Sequence, residues 1–302
     1  MAEWAHVNHD SPEWPAWVTL FLDAFMLENW SSDSDDPDQN AEQRFQLVRK
    51  FREIGEVERA KYKNQAAHGN AQPTEAQITI ILTPLRPTAL RHVARELEDA
   101  PHFVWLQSDY SQAFPREDFL RSIEDVAEMM HEEGTIPSDA RYYSLGSEWK
   151  RVLDVLPEIL PTHDFSANDE KLHLDLLRED ERGYMESGSD VELAGIYLDS
   201  QQHLMQSRML VIEDHETHLT PSASSAQFHI VWLDEFGNVV RETRDVASEL
   251  DEWLALCWEA MGNETELWRH AKFGPKYAPG KELGPPFSCN KPSDRSPGKI
   301  LR

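Results

Sequence analysis

The clearest strand pattern in the chain lies over residues 228–233. Phe228, Ile230 and Trp232 interleave with His229, Val231 and Leu233, the two-residue period of a strand with apolar groups on both faces. Asp234-Glu235-Phe236-Gly237-Asn238 supplies turn chemistry, and Val239-Val240 opens a second strand, so the stretch predicts a hairpin. Thr243 or Asp245 then stands where a helix cap belongs. Val246, Leu250, Trp253, Leu254, Cys257, Trp258 and Met261 follow at spacings of three and four, up to Gly262, and predict a helix over 245–261.

The same reading orders the rest of the chain. Ser11 and Pro12 mark a helix start, and Trp14, Trp17, Val18, Phe21, Leu22, Phe25 and Met26 form its core-facing stripe as far as Trp30. Residues 31–40 read as a solvated acidic loop. Phe45, Val48, Phe51, Ile54, Val57 and Tyr62 predict a second helix over 41–63, weakened at Gly55. After a polar linker, Ile78, Ile80, Ile81 and Leu82 predict a strand, Pro87–Asp99 a helix and Phe103–Leu106 another strand, together a small strand–helix–strand unit. A helix from Pro115 to Gly134 and a short one through Trp149, Val152, Leu153 and Leu156 come next, the latter stopped by Pro157.

From residue 165 the period shortens. Leu172–Leu176 (where Leu176-Leu177 leaves a helix open), Val191–Leu198 and Met209–Ile212 read as strands that join the hairpin in an antiparallel sheet of about five, closed by the last helix. The fold class is therefore α+β. Four regions are expected: helical 1–64, mixed 77–160, sheet plus helix 165–270, and a disordered basic tail over 271–302, rich in Pro, Gly and Lys.

Charge changes the picture more than composition does. The 302 residues carry 55 acids against 29 bases, a net charge of -26, which disfavours contact with phosphate backbones and anionic lipid. A protein partner of basic character is the sharper expectation; nucleic acid and membrane are not expected. No apolar run approaches the ~20 residues a membrane helix needs. The opening residues lack a signal-peptide pattern, and Cys257 and Cys289 stand alone in different settings, so a cytoplasmic location is expected.

Candidate chemistry is sparse. Asp214, His215 and His218 follow a predicted strand, and the two imidazoles have metal-ligand spacing, so a metal-dependent hydrolase is the alternative reading. The zincin pattern, however, needs His residues four apart on a helix. His6 and His9 form a similar pair. His163-Asp164 has no nucleophile elbow to serve, since Gly146-Ser147-Glu148 opens a helix. No phosphate loop, dinucleotide fingerprint or calcium loop is present, so no cofactor is expected. Catalytic residues are not assignable, and a resident metal is not expected.

The passages LVIEDHETH (210–218) and IVWLDEFGNVVRE (230–242), leading into ELDEWL (249–254), resemble the SUKH superfamily of fungal cell-wall-assembly regulators and bacterial immunity proteins. The resemblance is confined to the C-terminal half, and SQQHLMQS (200–207) stands where that family has a Gly- and Asp-rich turn. It implies a non-enzymatic scaffold that binds protein. The resulting expectation is an intracellular, acidic, non-catalytic binding or regulatory module.

Overall fold

The structure, a computed structural model, describes residues 19–31, 36–68, 73–99, 103–111, 140–160, 208–219, 225–246 and 271–283. Helix α1 spans Phe21–Asn29 and buries Phe21, Leu22, Phe25 and Met26, the stripe its spacing predicts. Helix α2, Pro37–Glu53, starts inside the expected acidic loop because Asp36 accepts the Asp38 N–H at 3.0 Å and Pro37 pre-sets the first turn. The long helix expected over 41–63 is two. Ile54 turns extended, and α3 begins at Glu56 and runs to His68. Rings of Phe51 and Tyr62 meet Phe25 edge-on at 5.3 and 5.2 Å, joining the three helices in one core.

The strand expected at 78–82 is helical. Thr74 and Gln77 cap each other reciprocally, nucleating α4, Glu75–Gln77, which runs into a π-helical turn over Ile78–Leu82. Only Ile81 and Leu82 of that run are buried. Helix α5, Thr88–Asp99, and strand β1, Phe103–Gln107, follow as expected. The predicted strand–helix–strand unit is thus helix–helix–strand.

The sheet has five strands in the order β1-β2-β3-β4-β5, with β2 Arg208–Glu213, β3 Gln227–Leu233, β4 Val239–Val246 and β5 Lys272–Phe273. It is mixed, not antiparallel. β1 pairs parallel with β2, Val104 opposite Leu210, while β2, β3, β4 and β5 are antiparallel neighbours. Regions 77–160 and 165–270 therefore share a sheet. Val104, Leu106, Leu210, Ile212, Val231 and Leu233 point to one face, where Leu90, Ala94 and Leu97 of α5 and the turns through Trp149–Leu160 cover them. On the other face Trp105 meets Phe228 edge-on at 4.6 Å, beside buried Val211, Ile230 and Trp232.

Thr243 and Asp245, expected near a helix start, lie within β4, whose pairing with β3 continues to Val246. Residues 271–283, expected as the start of a disordered tail, are ordered. β5 pairs with Arg241 and Glu242, and Tyr277 is buried. The phenol donates to Asp234 Oδ2 at 2.8 Å, while Asp234 Oδ1 accepts the N–H groups of Phe236 and Asn238. Gly237 takes φ 77°, and a Cβ there would meet Leu153 at 2.7 Å. The helix expected at 115–134, residues 247–261 of the one expected at 245–261, the strands at 172–176 and 191–198, and residues 11–18 and 284–302 lie outside the described residues.

Candidate functional site

Because β1 and β2 run parallel, their C-terminal ends lie side by side, Gln107 opposite Glu213. The chain leaving β1 stays close: Ser108 donates its N–H to the Glu213 carbonyl at 2.9 Å. Such strand ends are the usual place for ligand groups in sheets with parallel pairs. Here they gather Asp109, Ser111, Asp214, His215, Glu216 and His218, and the antiparallel neighbours add His229 from the start of β3 with Glu242 and Arg244 from β4.

His215 is 60% exposed at its side chain and sets Nδ1 3.0 Å from Asp109 Oδ2. Ser111 Oγ donates to Asp109 Oδ1 at 2.5 Å and stands 3.4 Å from the same His215 nitrogen. A serine-nucleophile triad places serine on Nε2 and the carboxylate on Nδ1. With both groups on Nδ1, this constellation orients the imidazole and activates no hydroxyl. Burial works against the Asp109 charge, but the Ser111 hydroxyl and N–H and the His215 ring outweigh it and hold the carboxyl below its ordinary value.

Asp214 caps the turn His215–His218 by accepting the Thr217 N–H at 3.1 Å. Arg244 grips it two-handed, Nη1 on Oδ1 at 3.1 Å and Nη2 on Oδ2, while Nε reaches Glu216 at 2.9 Å. Burial raises the Asp214 carboxyl; the Arg244 hydrogen bonds and charge more than offset that and lower it.

His229 lies between carboxylates, Nε2 3.0 Å from Glu242 and Nδ1 3.9 Å from Asp214, with the Trp149 ring edge-on at 6.3 Å. The His229 hydrogen bond is the main reason that Glu242 is held below its ordinary range. His218, the second imidazole of the sequence-predicted pair, is buried 3.1 Å from Glu213, which also accepts from Gln107 at 3.3 Å.

The three candidate residues therefore separate: Asp214 onto Arg244, His215 onto Asp109, His218 onto Glu213. Among the described residues no group of three or more His, Cys, Asp or Glu side chains is placed to hold a metal ion. His6, His9, His163, Asp164, Cys257 and Cys289 lie outside the described residues. Ser147 follows Gly146, φ 54°, in a 3-10 turn, the helix opening its sequence implies. Sequence reasoning missed Asp109, His229, Glu242 and Arg244. The available signals were a lone histidine in the apolar run Phe228–Leu233 and an i, i+2 acid–base pair on one face of β4.

No protein-family profile, no curated protein and no solved structure matches this chain. No helix among the described residues is long and apolar enough to cross a membrane.

Proposed function

We propose that this protein is an acidic, non-catalytic binding module that works inside the cell on a basic protein partner. One observation carries the reading: the reactive groups at the strand ends are committed to one another. The Asp214 carboxylate is occupied by Arg244 and a helix cap, His229 by Glu242, and His215 by Asp109. A reaction centre sets a nucleophile or an open ligand position beside its base, and among the described residues no such group stands at the outward Nε2 of His215. This cluster instead braces four strands and turns into one rigid edge. The net charge of -26 then favours a cationic partner, drawn in by the long-range field. The SUKH-like passages at 210–218 and 230–242 agree with a binding scaffold.

The test starts from affinity capture at low ionic strength, followed by titration of each purified partner across salt concentrations. A basic partner whose Kd rises steeply once the Debye length falls below ~10 Å is expected. Binding that ignores salt, or hydrolysis of an ester or phosphate substrate abolished by Asp214→Asn, would overturn the reading.

A further inference from the structure

A second charged cluster lies away from the strand ends, between α1, α5 and the turn Pro157–Ile159. Asp23, Glu98 and Glu158 are all buried there. Two of these carboxylates have a dedicated guanidinium. Arg91 holds Asp23 with Nη1 and Nη2 at 3.0 and 2.8 Å, and Arg86, itself buried, donates Nη2 to Glu158 at 2.7 Å. Glu98 is different. Its side chain is fully buried, yet its cationic neighbour is Arg95 at 3.3 Å, whose side chain is 37% exposed. Oε1 of Glu98 accepts the backbone N–H of Phe21, the first residue of α1, at 2.7 Å.

Among the described residues, charged groups face Glu98 from α1, α5 and the turn Pro157–Ile159. Asp23 on α1 and Glu158 on the turn oppose its charge, and Arg95 on α5 supports it. Arg91 and Arg86 are already spent on Asp23 and Glu158. A third negative charge among these buried groups is thus poorly compensated, whereas a neutral carboxyl keeps the contact that matters. Its carbonyl oxygen still accepts the Phe21 N–H.

We propose that Glu98 is a buried proton-binding site that couples the docking of α1 on α5 to pH. With the proton in place, α1 stays seated. Ionisation repels Asp23 and Glu158 and weakens the seat of the first turn of α1, where Glu98 holds the Phe21 N–H. Burial first, and then the charge of Glu158, push the Glu98 carboxyl well above its ordinary range. The folded state therefore binds the proton more tightly than the unfolded chain. Stability is complete below the ordinary glutamate value and falls as pH rises from there toward the folded-state value.

Amide hydrogen exchange of α1, followed from pH 5 to pH 9 on the full chain, tests this. After correction for intrinsic exchange chemistry, the opening equilibrium of residues 22–29 should rise with pH, by up to about tenfold per unit within the titration window. In Glu98→Gln, which keeps the acceptor for Phe21, it should be flat. Equal slopes in the two proteins would overturn the proposal. Should the variant fail to fold, carbon-13 titration of the glutamate carboxyls in the unaltered protein decides. A Glu98 midpoint at the ordinary ~4.3 would sink the idea, and one well above it would sustain it.

Discussion

The Glu235 carboxylate, at the tip of the hairpin, accepts the backbone N–H of Glu56 at 2.7 Å and so caps a helix 179 residues earlier in the chain. The contact is reciprocal, since Arg59 of α3 donates Nη2 to the Glu235 carbonyl at 2.6 Å. Gly55 leaves room for it: a Cβ there would stand 2.6 Å from Glu235 Oε2 and push the carboxylate aside.

That geometry makes a double-mutant cycle informative. Gly55→Ala should cost about 0.5–2 kcal/mol, because the methyl displaces the Glu235 carboxylate from its cap. Glu235→Ala should cost about 0.5–2 kcal/mol as a lost cap. In the double variant the alanine methyl has room, so the combined loss should be smaller than the sum. Urea unfolding of all four proteins measures the coupling; strict additivity would mean that Gly55 and Glu235 do not meet.

Trp232 is buried in the second face of the sheet beside Ile230 and Val211. Trp232→Ala should destabilise by about 3–5 kcal/mol, a large fraction of a domain's stability. Thermal unfolding checks it. An unchanged melting temperature would place the indole outside the core and leave it available to a partner.

Acid unfolding should report on the Asp214–Arg244 pair. The folded-state carboxyl lies below its unfolded value, so its contribution is present above the ordinary ~3.9 and is lost as pH falls through the lower folded value. Arg244→Lys gives up the two-handed grip. It should lose about 1–3 kcal/mol at neutral pH and move the acid transition upward. An acid transition that stays in place would show that the pair is not what holds Asp214 ionised.

Tyr277 anchors the C-terminal segment to the hairpin turn through Asp234. Tyr277→Phe removes one hydroxyl donated to a buried carboxylate and should cost about 1.5–3 kcal/mol. Truncation before Ala271 should cost more, because β5 and the Arg241–Phe273 stacking at 4.4 Å leave with it. Chemical denaturation of both proteins ranks them, and a truncated chain as stable as the full one would contradict the anchoring.

The parts legible in the sequence are those whose cause is local. The hairpin could be read because the strand pattern in 228–233 and the turn residues in 234–238 are adjacent. The apolar stripe of α1 and the span of α5 follow the same logic. The misread parts depend on distant partners. Nothing near Gly55 announces that Glu235 will split the helix there. Nothing in Phe103–Gln107 says that its neighbour is Arg208–Glu213. Ile78–Leu82 misled because β-branched residues suggest a strand, although the Thr74–Gln77 capping box was there to weigh against it. In the tail, Pro, Gly and Lys outweighed two aromatic residues, Phe273 and Tyr277, that find cation and carboxylate partners. At the candidate site the His-x-x-His spacing drew the eye, while the groups that decide its chemistry, Arg244, Glu242 and Asp109, come from other strands and turns.

The parallel pairing of Phe103 with Met209 sets the order in which the chain can fold. A ribosome adds about a hundred residues after β1 before its neighbour β2 emerges, and closing a loop of that length is slow compared with forming a hairpin. The β3–β4 hairpin, whose strands are joined by five residues, therefore forms ahead of the β1–β2 pair, although it is synthesised later. Until then β1 offers an unpaired, apolar edge, Val104-Trp105-Leu106, to whatever else is nascent nearby. The separation of two strands along the chain thus sets how long that edge waits for its partner.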